Sequence, residues 1–450
     1  VRFLRALLSN GLFVGSASAL IVQFSASVLG FVMFALAARQ MQHAEFGSLA
    51  VIFNTMSLLA VVFVFGQETL ISRSWQEYSG SGKSALGRGA LTFGLCVSFL
   101  GALTVALLSV IGWVVFRDPP TIWLPLAASA FLFAQALMTF NARLSLVTVG
   151  IGVAEVPRSI LWRSAVILAI LFHITTGSDF TAVEFFSTAA AVLALSLLYQ
   201  GWRIVRVLPE SVKNAKPQFD LATWWQRSKR MWLSSCIDTN GQFLEVIIVA
   251  FFLGPVAAAF YFSATRITNV FAMIAGGITV YATSHISRLY HTSARDELQR
   301  ILRSLALFSA ILGGAAFVTI ILAGKLLLSF FGPAYADYYP ALVVLAFGAS
   351  LTALAGPAPY LLLLTGQERI YPWIMGSGVV LKFALIGILG TWFGVLGAAA
   401  AASLSAGLTS IALVIACRRT TELDPSILSA VWRRGQGDPG RTAAALRQRA

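Results

Sequence analysis

Residues 89–116, GALTFGLCVSFLGALTVALLSVIGWVVF, carry no charged side chain; Arg117-Asp118-Pro119-Pro120 comes next, and residues 121–142, TIWLPLAASAFLFAQALMTFNA, are again uncharged. At 1.5 Å rise per residue, either run as a helix crosses a bilayer core of ~30 Å. The four residues between them are turn chemistry, since proline cannot continue the first helix. The pair reads as a transmembrane hairpin. Outward from it the pattern recurs: residues 6–38, 46–67, 304–324, 338–367 and 383–417 also lack Asp, Glu, Lys and Arg.

Hydrophobic residues make up 58% of the 450 and charged residues 11%, against about a quarter charged in ordinary globular chains. That composition excludes a water-soluble fold. The net charge of +14 lies in short segments beside apolar runs, which points to membrane topology and anionic headgroups rather than nucleic acid. Three scattered cysteines, Cys96, Cys236 and Cys417, argue against a disulfide framework or metal site. The first apolar run is too long for a signal peptide and reads as the first helix.

Twelve spans are expected, near 12–38, 46–66, 90–116, 121–142, 158–176, 182–202, 231–253, 258–282, 304–331, 340–365, 373–393 and 395–416. Even-numbered loops and the termini hold 26 of the 32 Lys and Arg; odd-numbered loops hold only Arg39 and Arg117. The remaining four, Arg163, Arg266, Lys325 and Lys382, fall inside spans. The asymmetry places both termini in the cytoplasm of an inner-membrane protein. The odd loops are too short to build a catalytic domain outside. The longest connection, 203–230, reads as a linker between halves.

A repeat of about 212–215 residues relates Ile71-Ser72-Arg73 to Ile286-Ser287-Arg288, in register with six spans per half. Six is even, so both halves enter from one side and are related by a pseudo-twofold axis along the membrane normal. The expected organisation is a six-helix bundle at 1–210, a second at 211–417 and a basic cytoplasmic tail at 418–450.

Particular motifs carry a resemblance. Ala37-Ala38-Arg39 through Glu45-Phe46-Gly47-Ser48-Leu49-Ala50 resembles the first outer turn of bacterial polysaccharide flippases, and Leu253-Gly254-Pro255 through Tyr261, Ala264 and Arg266 resembles its second-half copy. Leu328 through Tyr335, Pro340-Ala341-Leu342 and Leu361 through Thr365-Gly366 are similar to their later segments. These match the polysaccharide transporter (O-antigen flippase) family of the multidrug/oligosaccharidyl-lipid/polysaccharide (MOP) exporter superfamily. The resemblance implies an all-α, MATE-like, V-shaped pair of bundles that moves undecaprenyl-diphosphate-linked sugars outward by alternating access. It also implies neighbouring assembly proteins such as a polysaccharide polymerase. Gln42-His43 and Glu245 depart from the usual residues of that family.

Charges within spans are costly and are functional candidates by default. Ser234, Asp238, Gln242 and Glu245 form one polar stripe on span seven, suited to a coupling cation or proton. Glu245 and Arg266 sit eight residues from the two sides of one outer turn, at the same depth of roughly 12 Å. They are expected to pair or share a site, with Arg266 available to an anionic diphosphate. Lys382, Arg39 and Gln23 complete the cavity candidates. The four histidines form no metal constellation and no cofactor is expected. No phosphate-binding loop ending in Lys-Ser/Thr occurs, so the chain reads as a transporter rather than an ATP-driven enzyme. A small-molecule exporter of the same superfamily and, at greater distance, a membrane polysaccharide polymerase stay open as alternatives.

The topology has a direct test. Reporter fusions at residues 118 and 255 are expected to be active outside the cytoplasm, and fusions within 203–230 inside; a 203–230 fusion scored as external would reverse the topology.

Overall fold

The computed structural model describes residues 11–117, 121–291, 295–364, 370–421 and 423–427; the side chains of 11–20, 116–117, 234, 237–242, 277–291, 295 and 364 lie outside the described set. All regular elements among the described residues are helical. In chain order they are α1 (Gly11–Gln40), α2 (His43–Val62), α3 (Gln67–Gly80), α4 (Ser84–Arg117), α5 (Trp123–Thr148) and α6 (Ile151–Val156). A π-helical turn, Pro157–Leu161, leads into α7 (Trp162–Thr176), followed by α8 (Ala182–Val207), α9 (Glu210–Lys213) and α10 (Leu221–His291). The chain ends with α11 (Arg295–Ser329), a 3-10 turn (Pro333–Tyr338), α12 (Tyr339–Leu354), α13 (Ala358–Leu364) and α14 (Ile370–Thr421).

Among the described residues, ten stretches are long and apolar enough to cross a membrane. Two lie on helices that contain one non-helical residue each, Gly254 (φ 85°) in α10 and Gly394 (φ 61°) in α14. Positive φ costs glycine nothing, and Pro255 then opens the next arm with its ring where no intrahelical N–H is needed. Each of these glycines separates two helical arms. Hydrophobic side chains cover the exterior, Trp373, Phe251 and Leu322 being more than 80% exposed; a lipid solvent accounts for such a surface.

By packing, the chain forms two compact units. The first runs through Ser263 with Phe330–Gly332; the second comprises Ala264–Ser329 and residues from Pro333 onward. In the first, α5 packs most extensively on α8, flanked by α4, α2 and α3, and α1 lies on α7. Its core is aromatic: Phe34, Phe53, Phe131, Trp162, Phe185, Phe186 and Phe262 form a chain of rings with centroids 4.8–6.3 Å apart, within the range of favourable edge and offset contacts. Helix α8 begins with a capping box, Thr181 N–H donating to Glu184 Oε2 at 2.7 Å. Glu184 also meets His173 Nε2 at 3.1 Å, so His173 has a partner rather than standing as an isolated loop residue.

In the second unit α12 packs on α14 and α11. The run 397–402, Gly-Ala-Ala-Ala-Ala-Ala, is largely buried. Close by, Ser403 donates to Val344 O at 2.6 Å and Ser405 to Gly378 O at 2.8 Å. Small residues let helices approach where lipid supplies no hydrophobic drive between them. The tail expected from residue 418 is anchored at its start: Gln299 and Asp424 exchange two backbone-to-side-chain hydrogen bonds, and Arg418 meets Asp424 at 2.6 Å.

The connection 203–230 is not a free linker. Arg88 donates to the carbonyls of Lys213 and Ala215, Gln218 N–H donates to Ala85 O at 3.0 Å, and a Cβ on Gly89 would collide with the Gln218 carbonyl. Trp224 is fully buried with Leu70, Tyr78 and Ala90, and its Nε1 donates to Tyr78 Oη at 2.9 Å. An amphipathic chain can bury its aromatics while its charges face outward.

Replacing Trp224 with Ala is expected to destabilise the purified protein by about 3–5 kcal/mol, the usual range for emptying a buried aromatic site. Trp373→Ala, at an exposed position, should leave the detergent-phase melting curve nearly unchanged; equal shifts for the two would refute the docking.

Candidate functional site

On α1, Gln23 is exposed and Gly30 lies two turns further on the same face. A Cβ on Gly30 would stand 3.6 Å from Arg163 Nε, an ordinary contact distance, so Arg163 lies against this face of α1. The Arg163 guanidinium sits 4.6 Å from the centre of the Trp162 ring and donates to Ser159 O. Cation–π contact favours a positive charge at that place. The π turn Pro157–Leu161 comes from Pro157, which cannot donate to the helix ladder; the widened turn rotates the side chains at the start of α7. Arg163, one of the four cations expected inside spans, is half-buried within the first unit.

Beneath that face runs a set of buried polar side chains that the sequence reading missed. Asn54 and Ser57 on α2 are fully buried. Asn54 Nδ2 donates to Ala50 O at 2.6 Å, and Gln135 Nε2 on α5 donates to Ser57 Oγ at 3.3 Å. Where α2 meets α3, Gln67 Nε2 donates to Ser228 Oγ at 2.8 Å and Ser235 Oγ to Glu68 at 3.1 Å. The available signal was modest: isolated Asn, Gln and Ser within otherwise apolar spans.

Of the stripe expected on span seven, Glu245 is half-buried and accepts a hydrogen bond from Tyr261 Oη at 2.9 Å. Tyr261 is fully buried on the next arm of the hairpin, so the turn at Gly254 brings hydroxyl and carboxylate together. The side chains of Asp238 and Gln242 lie outside the described residues. Arg266 belongs to the second unit and Glu245 to the first; Arg266 is half-buried with its Nε shielded from solvent. Lys382, on the first arm of α14, is half-buried in the second unit. Arg39 is exposed at the end of α1, and its Nε donates to Phe330 O at 2.8 Å. Lys325 lies 5.7 Å from the Tyr339 ring centre.

Among the described residues no three His, Cys, Asp or Glu side chains converge. An apolar groove of about 450 Å³ on the first unit is lined by Leu95, Cys96, Phe99, Leu137, Asn141 and their neighbours. It has no charged lining residue and stands apart from the cations above. Chemically, the arrangement places cations and carboxylates within apolar helices, with Arg163 against a ring, Glu245 bonded to a hydroxyl and Arg39 to a carbonyl. Such groups can bind and release charge.

The comparisons agree with this picture. A family model described as "Polysaccharide biosynthesis protein" matches residues 12–282. No curated protein sequence matches the chain. Among solved structures, an inward-facing MATE-family multidrug resistance transporter of the MOP superfamily superposes with a TM-score of 0.73 at 14% identity, covering 89% of this chain and 97% of its own. The lipid II flippase MurJ, in an inward closed conformation, gives 0.67 at 13% identity with 88% and 87% covered. A MOP-superfamily transporter from Pyrococcus furiosus, whose binding pocket is described as reversed in polarity, gives 0.65 at 13% with 91% and 94% covered. With the family model spanning more than half of its length, the chain belongs to the polysaccharide biosynthesis protein family, on the fold of the MOP-superfamily transporters.

Proposed function

We propose that this protein is a flippase that carries an undecaprenyl-diphosphate-linked oligosaccharide across the inner membrane for O-antigen, capsule or exopolysaccharide synthesis. The match of residues 12–282 to the polysaccharide biosynthesis family carries the reading. The placement of cations within apolar helices supports it: Arg266, Lys382 and Arg163 suit an anionic diphosphate headgroup far better than a cationic drug.

In this mechanism the halves 1–210 and 211–417 alternate access to a shared path. Both termini and the basic loops lie in the cytoplasm, and the tail at 418–450 stays on that side. Arg266 and Lys382 contact the diphosphate, and Gln23 and Arg39 line the route. Asp238, Gln242 and Glu245 take up the coupling proton or cation. Tyr261 holds Glu245 in place, so that the carboxylate presents one oxygen to its ligand while the other stays bound. Energy comes from a gradient; the membrane potential alone contributes ~2.3 kcal/mol per charge per 100 mV. A polysaccharide polymerase is the natural consumer of the delivered lipid-linked unit. The chain itself catalyses no covalent step.

The second reading, a small-molecule exporter, is favoured by one observation, the close superposition on a MATE-family multidrug transporter. Deletion of the gene separates the two. Lipid-linked repeat units trapped on the cytoplasmic leaflet are expected; unchanged glycolipids with altered drug tolerance would select the exporter, and units trapped on the outer leaflet a polymerase.

Two substitutions test the residue roles. Arg266→Ala should lower flipping by at least about tenfold, comparable to loss of a charge-assisted hydrogen bond of about 1.5–3 kcal/mol; Arg266→Lys should restore part of it. If both variants flip at the native rate, Arg266 does not touch the cargo. Tyr261→Phe should lower the melting temperature and weaken coupling while Glu245→Gln, which keeps an acceptor for the hydroxyl, preserves stability but loses coupling.

A further inference from the structure

A second protonatable group lies away from the Glu245 hairpin, where α2 ends. Helix α2 stops at Val62, and the chain passes through Phe65 (φ 54°) and Gly66 (φ 69°) before α3 begins. A left-handed Phe is strained unless its surroundings impose it. Here the first arm of α10 does so. Ser228 donates to the Phe65 carbonyl, Trp232 Nε1 donates to Val62 O at 2.6 Å, and the Trp232 ring lies 5.9 Å from that of Phe65. A Cβ on Gly66 would collide with the backbone of Trp232. The break exists to receive α10.

Glu68 sits at this joint, only 8% exposed. One carboxylate oxygen accepts from Ser235 of α10 at 3.1 Å; the other, Oε2, is buried and meets no donor among the described residues. The neighbouring acceptor Gln67 Oε1 is likewise buried without a donor. The titratable groups in electrostatic reach are Arg143 on α5, which is exposed, and the neutral Cys236 thiol on α10. The Glu68 backbone N–H and the Thr69 hydroxyl also lie close enough to favour the anion, but burial outweighs these donors, and Oε2 stays shut in without a hydrogen bond, so ionisation there is costly. A proton on Oε2 removes that cost. With α10 undocked, water and Arg143 would instead favour the anion.

We propose that Glu68 is a proton-binding site whose occupancy is coupled to docking of residues 221–235 on the α2–α3 joint. The protonated form seats α10, with Ser235 bound to Oε1 and the proton carried on Oε2. Release of that proton to water as the joint opens leaves the carboxylate facing Arg143. The site therefore links proton uptake to a movement of the first α10 arm, independently of which cargo is carried. Its failure and a failure of the flippase reading are separable, because both tests of the site are independent of transport.

The exposed pair Glu77–Arg227, 2.8 Å apart further along the same contact, serves as reporter. In full-length protein with Cys96, Cys236 and Cys417 replaced by Ala, Glu77→Cys and Arg227→Cys are introduced and oxidised briefly across a pH series. Cross-linking with native Glu68, divided by that in a Glu68→Gln background to cancel thiol ionisation, is expected to fall as pH rises, by up to about tenfold per pH unit, the limit for one proton. A ratio independent of pH would overturn the proposal. Should Glu68→Gln misfold, the unmodified protein supplies a second reading through reaction with a hydrophobic carbodiimide. An adduct at Glu68 that forms in mild acid and fades as pH rises is expected; no adduct in mild acid overturns the site.

Discussion

A peptide group inside a bilayer has no water to bond, so each N–H and C=O must find its partner within the protein. That requirement governs where this chain can be straight and where it can break. Across its spans the helix ladder meets it internally. At Gly254 and Gly394 the interruption is confined to a single residue at a hairpin turn. The longer break at 63–66 leaves carbonyls off the ladder, and it is there that Trp232 and Ser228 supply donors from another helix. Elsewhere Ser403 and Cys417 donate to the carbonyls of Val344 and Ala358 and so tie one helix to another. Side-chain donors thus hold the backbone interruptions in place, and the helices that carry those donors are fixed against the breaks.

Polar side chains inside the units obey a related rule. Ser57 meets Gln135, Ser109 meets Ser129 at 2.6 Å, and Glu245 meets Tyr261. Each contact ties two helices at one point while apolar rings and small residues fill the rest. Apolar faces slide without losing much, whereas a few hydrogen bonds and charge contacts define which packed arrangement is preferred. Carboxylates at such points are natural places for a proton or cation to bias the choice.

Part of the candidate site was legible in the residues themselves. Glu245 stood out because an acid within an apolar run is expensive, and the turn at Gly254-Pro255 announced a hairpin. Its partner Tyr261 did not, since a tyrosine in a span is equally at home in a core or at an interface. Glu68 was passed over for a different reason. It stands at the boundary between an apolar run and a charged loop, where an acid normally reads as solvated, and nothing local says that residues 228–235 will cover it.

The residues alone determined the solvent of this protein, because hydrophobic length is a local, additive quantity. They also carried the family resemblance, which lies in short turn motifs. Which charges are buried, which hydroxyl meets which carboxylate, and that the basic segment 203–230 lies docked rather than loose were decided only in three dimensions. Those outcomes depend on contacts between residues more than a hundred positions apart, such as Gln67 with Ser228 and Arg88 with Ala215, and no local pattern encodes them.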